Sequence, residues 1–207
     1  MIDTADAVAA TYRAVGAAGL SFGTSGNVSC RSGNGMLITR SGVSVDKVTA
    51  KDIVAVDLDG VVSCGSKPSS EWFMHADIYA AYHGAEAVIH AHADACTALA
   101  CLGRPIPPFH YMVAGFGGDD IRCTAYVTFG TPDLGRLAVE ALRDRTACLL
   151  GNHGMICHGT TLEAVLSTAV RLEALARQYL LARSAGEPRL LDAEAMRATR
   201  ERYKTYG

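Results

Sequence analysis

Hydrophobic and polar positions change period several times along the chain, and each change marks an element. Near the amino terminus Ala7, Ala10, Tyr12 and Val15 recur at helical spacing behind the capping residues Asp3 and Thr4, and Gly19 stops that helix. A turn-rich stretch, Ser21-Phe22-Gly23-Thr24-Ser25-Gly26-Asn27, leads into a short strand, Val28-Ser29-Cys30. Met36-Leu37-Ile38-Thr39 and residues 53–58 read as further strands, and Asp59-Gly60 is a hairpin turn before Val61-Val62. Lys67-Pro68-Ser69-Ser70 then breaks the alternation and caps a helix over 71–82, in which Trp72, His75, Tyr79 and Tyr82 share one face.

The second half continues the alternation of element types. Residues 87–92 read as a buried strand, 94–100 as a helix and 123–128 as another strand. Pro132 introduces a helix over 134–142, followed by the apolar strand Ala147-Cys148-Leu149-Leu150. Leu162, Val165, Leu166, Ala169, Leu172, Ala176, Tyr179 and Leu180 form one apolar stripe on the longest helix, which Gly186 ends. There is no internal repeat, low-complexity tract or linker. The pattern predicts one α/β domain over 1–207, a sandwich with a central, mainly antiparallel sheet flanked by helices.

Composition narrows the function classes. The 207 residues suffice for a sizeable core, and 49% hydrophobic against 19% charged residues excludes a wholly disordered chain. Lys and Arg number 19 against 21 Asp and Glu, a net charge of −2, so no basic surplus points to nucleic acid. The seven cysteines are odd in number and include no C-x-x-C pair, which fits buried, inert thiols in a reduced cytoplasm. Acids stand at the amino terminus where a secretory signal carries bases, and no apolar run approaches the roughly 18 residues that span a bilayer. The expectation is a soluble cytoplasmic protein with neither a membrane nor a nucleic-acid partner.

His90 and His92 form an H-x-H pair in an otherwise apolar strand. Side chains at i and i+2 of a strand share a face, roughly 6.5 to 7 Å apart at their bases, which suits two imidazoles converging on one ion. Two hydrogen-bonded core histidines are the alternative, but each would need its own buried partner. His153, in the turn Gly151-Asn152-His153-Gly154, is the leading third ligand, completing a three-nitrogen site with one open position. His75, His83, His110 and His158 lack such company and read as structural. Ser69-Ser70 at a helix amino terminus, with the turns Gly26-Asn27 and Ser41-Gly42, offers backbone amides to an anion; each is weak alone, and together with a metal they suggest a phosphorylated substrate. Glu71, just after the serines, is either a helix-dipole acid or, beside a metal, a general base.

Taken in order, several segments resemble the class II aldolase and adducin family: residues 23–29 (GTSGNVS), 36–42 (MLITRSG), 67–72 (KPSSEW), His90-Ala91-His92, His110-Tyr111-Met112, 128–131 (TFGT), His153-Gly154 and the ending Lys204-Thr205-Tyr206-Gly207. The resemblance implies Zn²⁺, or another divalent transition metal, held one per subunit by His90, His92 and His153, with Glu71 as acid/base. It implies a phosphate pocket of Gly26, Asn27, Ser41, Gly42, Ser69 and Ser70. It further implies a homotetramer with sites between subunits, in which Tyr111 of a neighbour protonates an aldehyde oxygen and Tyr206 is a mobile residue near the site.

The reaction implied is reversible cleavage of a ketose 1-phosphate, L-fuculose 1-phosphate or a related deoxypentulose 1-phosphate, into dihydroxyacetone phosphate and an aldehyde. Arg40 stands where the family often has proline, Gly151-Asn152 replaces a bulkier polar stretch, and the chain lacks a longer tail over the site. Within the fold, a pentulose 5-phosphate 4-epimerase tends to carry Asp at the Glu71 position. A methylthioribulose 1-phosphate dehydratase or a methylthioribulose/deoxyribulose 1-phosphate aldolase would look nearly the same, and the rival of another class is a non-catalytic adducin-like binding module.

Overall fold

The computed structural model describes residues 4–63 and 66–205. Its centre is an antiparallel sheet of six strands: β1 (Asn27–Ser32), β2 (Gly35–Thr39), β3 (Ile53–Asp57), β4 (Ala87–Ala91), β5 (Ala147–Leu150) and β6 (Gly154–Gly159). The spatial order is β3-β2-β1-β4-β6-β5, and every neighbouring pair runs antiparallel. Around it lie α1 (Thr4–Ala17), α2 (Trp72–Ala81), α3 (Asp94–Cys101), α4 (Pro132–Ala141), α5 (Leu162–Ala185) and α6 (Ala193–Tyr203). The fold class expected from the pattern is the one observed. Among the described residues no helix is long and apolar enough to cross a membrane.

Period-2 alternation assigns each strand residue to one of two cores. Val28, Ala87, Ile89, Leu149, Met155 and Cys157 pack with α1, α3 and α5, whose Val8, Tyr12, Leu99, Leu172 and Ala176 are buried against them. Met36, Ile38, Val88, Cys148, Leu150 and Ile156 face the other way, onto Met74, Ile78, Leu134 and Ala138 of α2 and α4. Helices cover both faces, which is why central β4 is buried at all five positions and reads as a continuous apolar run interrupted only by His90.

Several boundaries differ from the sequence expectation. Residues 123–128 do not form a strand: Cys123 makes one isolated parallel bridge to Leu149, after which the segment leaves the sheet. Thr124 still donates its backbone N–H to Leu149, and Gly151 N–H donates to the Thr124 hydroxyl, so the chain is pinned before it turns away. Val61-Val62 likewise contributes only a Val56–Val62 bridge. The pattern missed a 3₁₀ turn at Tyr111–Phe116 and all of α6, whose sole buried residue is Met196; without an apolar stripe its visible signal was the Asp192 cap, which accepts from Ala195 N–H at 2.8 Å.

Four of the six described cysteines, Cys30, Cys96, Cys148 and Cys157, are buried, and all six are free. Burial pushes the Cys30 thiol up to about 11 and Cys157 up to about 12, which fits their reading as inert packing groups.

Candidate metal and catalytic site

Strand β4, the residue that follows it, the β5–β6 turn and the start of α2 bring four side chains to one point. His90 lies on β4, and His92 follows one residue past the strand's end. His153 starts the descent from the β5–β6 turn, where Asn152 adopts a left-handed φ of 52°. Gly154 is needed for this approach: a Cβ there would lie 2.5 Å from the Ala91 carbonyl oxygen and 3.1 Å from the His92 ring. Glu71 occupies the N-cap of α2 and makes no side-chain cap bond, because its carboxylate turns inward to the histidines.

The resulting geometry is tight. The ligand nitrogens of His90, His92 and His153 all lie within 4.8 Å of one another. The rings meet edge-on, with centroids 4.7 to 4.9 Å apart. His90 Nε2 lies 3.0 Å from His92 Nε2 and 3.2 Å from Glu71 Oε2, while His153 Nε2 lies 3.3 Å from Glu71 Oε1. His90 Nδ1 donates to the Met155 carbonyl at 2.9 Å, so in the neutral ring the Nε2 lone pair faces the carboxylate and the second imidazole. Glu71 Oε1 is buried and accepts no hydrogen bond. Converging lone pairs and an unsatisfied carboxylate oxygen are what a cation between them would relieve, so the residues fit a divalent metal.

Electrostatics point the same way for two of the three imidazoles. Burial raises the Glu71 carboxyl, but the His90 and His153 imidazoles and the Asn27 amide outweigh it and hold the group well below the usual carboxylate range. Burial, reinforced by the neighbouring His90, pushes His92 and His153 down to about 4, leaving them neutral as ligation requires. For His90, burial opposes charge and Glu71 favours it; the carboxylate wins and the ring is raised.

The anion-binding candidates assemble beside the histidines. Ser41 N–H donates to the Lys67 carbonyl and Ser69 N–H to the Thr39 carbonyl, both at 3.0 Å, which ties the turn after β2 to the entry of α2. Gly26, Asn27, Ser41, Gly42, Ser69 and Ser70 line one cavity of about 500 Å³ together with Glu71, His92 and His153. Gly26 has φ +74°, and a Cβ there would meet the His90 carbonyl oxygen at 2.7 Å, so this turn is held to glycine. The same cavity is also lined by Tyr126, Val127 and Phe129, supplied by the segment that leaves the sheet.

One expected residue does not join this group, and a second is not among those described. Tyr111 is 54% exposed and lines a different cavity, with Met112, Arg171 and Tyr203. Tyr206 lies outside the described residues. Sequence reasoning also missed residues that the cavity includes: Arg40, Asn152 and the three apolar side chains at 126, 127 and 129. His75, which reads as structural rather than as a ligand, is fully buried, hydrogen-bonded to Asn27 and outside the three-histidine group. The signal for its burial was present, because His75 and Tyr79 share one face of α2 and both are buried.

Comparison with known proteins identifies the family. The family model described as Class II Aldolase and Adducin N-terminal domain matches residues 6–180. The chain is 50% identical over 195 residues to a 5-methylthioribulose-1-phosphate/5-deoxyribulose-1-phosphate aldolase of Rhodospirillum rubrum, covering 94% of this chain and 88% of that protein. It is 43% identical over 190 residues to the L-fuculose phosphate aldolase of Escherichia coli K12, covering 91% and 88%. Among solved structures, one described as L-fuculose 1-phosphate aldolase superposes with a TM-score of 0.94 at 36% identity, over 99% of this chain and 97% of that one.

Proposed function

The chain belongs to the class II aldolase and adducin family and is a class II aldolase, and from that premise we propose that it cleaves a ketose 1-phosphate into dihydroxyacetone phosphate and an aldehyde. The observation that carries the reading is the convergence of three imidazoles and Glu71 beside a cavity that serines and glycines also line. His90, His92 and His153 would hold a divalent ion, and three neutral imidazoles suit zinc or a similar transition metal far better than magnesium. When bound, such an ion polarises the ketone of the substrate as a Lewis acid.

The chain's own groups do the rest. The cradle of Gly26, Asn27, Ser41, Gly42, Ser69 and Ser70 holds the phosphate through those of its amides and hydroxyls not already bonded within the protein, and so fixes the carbon skeleton against Glu71. In the condensing direction the Glu71 carboxylate takes a proton from the carbon beside the ketone of dihydroxyacetone phosphate, the new C–C bond forms to the aldehyde carbon, and the aldehyde oxygen takes a proton. We assign that last donation to Tyr111 of a neighbouring subunit in a homotetramer, with Tyr206 near the same site. Cleavage runs these transfers in reverse. No lysine is required, since the carbonyl needs no Schiff base.

The substrate's far end meets Tyr126, Val127 and Phe129. An apolar wall there favours a deoxy or methylthio terminus over a hydroxylated one, which supports 5-deoxyribulose or 5-methylthioribulose 1-phosphate as the substrate class, in line with the Rhodospirillum relative's name. L-Fuculose 1-phosphate, which also ends in a methyl group, is the second reading, favoured by the Escherichia relative. A coupled assay for dihydroxyacetone phosphate released from a panel of ketose 1-phosphates tests both. The largest kcat/KM is expected for the deoxypentulose phosphates, and release from none of the panel would overturn the reading.

A further inference from the structure

Behind Glu71 a chain of buried polar groups runs into the core, and the reaction as described uses none of it beyond Asn27 and Ser69. Asn27, on the first position of β1, donates from Nδ2 to Glu71 Oε2 at 3.1 Å and to Ser69 Oγ at 3.0 Å. Its Oδ1 lies 2.5 Å from His75 Nε2 on α2. His75 Nδ1 lies 2.6 Å from Ser29 Oγ, which lies 2.7 Å from the Tyr79 hydroxyl. His75 and Ser29 are completely buried, Tyr79 is 1% exposed and Asn27 2%.

Donor and acceptor chemistry gives this chain one direction. A carboxylate only accepts, so Asn27 must turn its NH₂ to Glu71 and its carbonyl oxygen to His75. That oxygen only accepts, so His75 Nε2 carries the ring proton. Burial pushes His75 down to about 3, so the ring is neutral and Nδ1 is bare. Ser29 O–H therefore donates to Nδ1, and Tyr79 O–H donates to Ser29 Oγ. Every proton in the chain points toward Glu71, and reversing any one link leaves two donors or two acceptors face to face in a dry interior.

We infer that His75 is a positioning residue for the aldolase reaction: acting through Asn27, it fixes the orientation of the Glu71 carboxylate and of the Ser69 hydroxyl at the phosphate cradle. Without the Nε2–H donor the buried Asn27 oxygen is left unpaired, the amide is free to rotate, and both of its Nδ2 bonds lose their fixed direction. Glu71 would keep its charge and lose its aim. The inference rests on the aldolase reading, and the experiment separates the two.

Two variants of similar shape discriminate. His75→Gln keeps a nitrogen donor near the Nε2 position, whereas His75→Asn keeps one near Nδ1, toward Ser29, and leaves Asn27 Oδ1 bare. With a ketose 1-phosphate that the wild type cleaves, kcat is expected to fall about 10²-fold in His75→Asn and to stay within about threefold of wild type in His75→Gln, since small misplacements of a reacting group carry costs of that size. KM and metal content by elemental analysis should change little in either. Equal kcat in the two variants, whether both normal or both reduced, would overturn the inference.

A second measurement needs neither variant nor substrate. Long-range ¹H–¹⁵N spectra of the metal-free wild-type protein should show His75 as the neutral Nε2–H tautomer, and the Nδ1–H tautomer or an imidazolium at neutral pH would overturn the inference. A wild type that cleaves none of the ketose 1-phosphates would instead count against the aldolase substrate reading, with the tautomer still legible.

Discussion

At the scale of single residues, the histidines and the glutamate proposed as metal ligands and base stand out because short motifs place such side chains together. H-x-H on a strand and Ser-Ser-Glu before a helix fix where the side chains point before any tertiary contact is known. His92→Ala removes one of three imidazoles from a site whose nitrogens lie within 4.8 Å, and it should abolish both bound metal and turnover; stoichiometric tight zinc in that variant, by elemental analysis, would count against the ligand set. His75 gives a second prediction, on stability. Its ordinary value of 6.5 is pushed down to about 3 by burial, so between those limits the unfolded chain binds a proton that the folded chain excludes. Folded stability from this group is therefore complete above pH 6.5 and declines as pH falls through the window, by up to about 1.4 kcal/mol per pH unit. Glutamine does not titrate. Urea unfolding of the metal-free protein across roughly pH 4 to 5.5 should give a shallower pH slope for His75→Gln than for wild type, while His92 and His153, which share the sign, contribute equally to both. Parallel slopes would mean that His75 is not excluded from protonation in the fold.

At the scale of elements, local rules placed strands and helices well and failed where an element depends on a distant partner. α3 is an instance: its cap residue Ala93 offers no side-chain acceptor, and the helix start is instead held by Glu173 of α5. That buried carboxylate accepts from Ala95 N–H at 2.9 Å and Cys96 N–H at 3.0 Å, across 78 and 77 residues of sequence. Glu173 on the apolar face of α5 looks like a fault in the stripe until α3 is set beside it, where its negative charge meets the positive end of the helix dipole. Glu173→Ala should cost about 2 to 3 kcal/mol, because two buried N–H groups lose their acceptor, and Glu173→Gln less, since one acceptor oxygen remains. Thermal unfolding checks the order; equal melting temperatures for wild type and Glu173→Ala would contradict it. Distance along the chain also hid the Ser29–His75 contact, which exists because β1 lies under α2, 46 residues away. Segment 123–128 failed for the opposite reason. Its β-prone residues satisfy the local pattern, but after one bridge to Leu149 the chain is drawn off the sheet to form the apolar wall of the cavity, a role that no period reveals.

At the scale of the whole molecule, the proposed chemistry lacks one component within a single chain. Glu71, His92, His153 and the proposed phosphate cradle share a cavity, whereas Tyr111, the residue matched to the proton donor for the aldehyde oxygen, lines a different one and is 54% exposed. An exposed tyrosine in a short 3₁₀ turn, beside Tyr203 of α6 and the half-exposed stem of that helix, suits a side chain that completes a neighbour's site, and cyclic assembly supplies such a neighbour to every copy. The consequence is a complementation test. Glu71→Gln removes the base and leaves the tyrosine, while Tyr111→Phe removes the proton donor and leaves the base. Each homo-oligomer should then turn over poorly. Dissociating and reassociating the two together creates interfaces in which an intact Glu71 faces an intact Tyr111, and in a random mixture roughly a quarter of the sites receive that pairing. Activity of the mixture should accordingly rise toward about a quarter of the wild-type value, with the parent variants as baseline. Verified mixed oligomers with no recovery, or full wild-type activity in a species that light scattering finds monomeric, would return Tyr111 to its own subunit and require the aldehyde proton to come from a residue already lining the cavity.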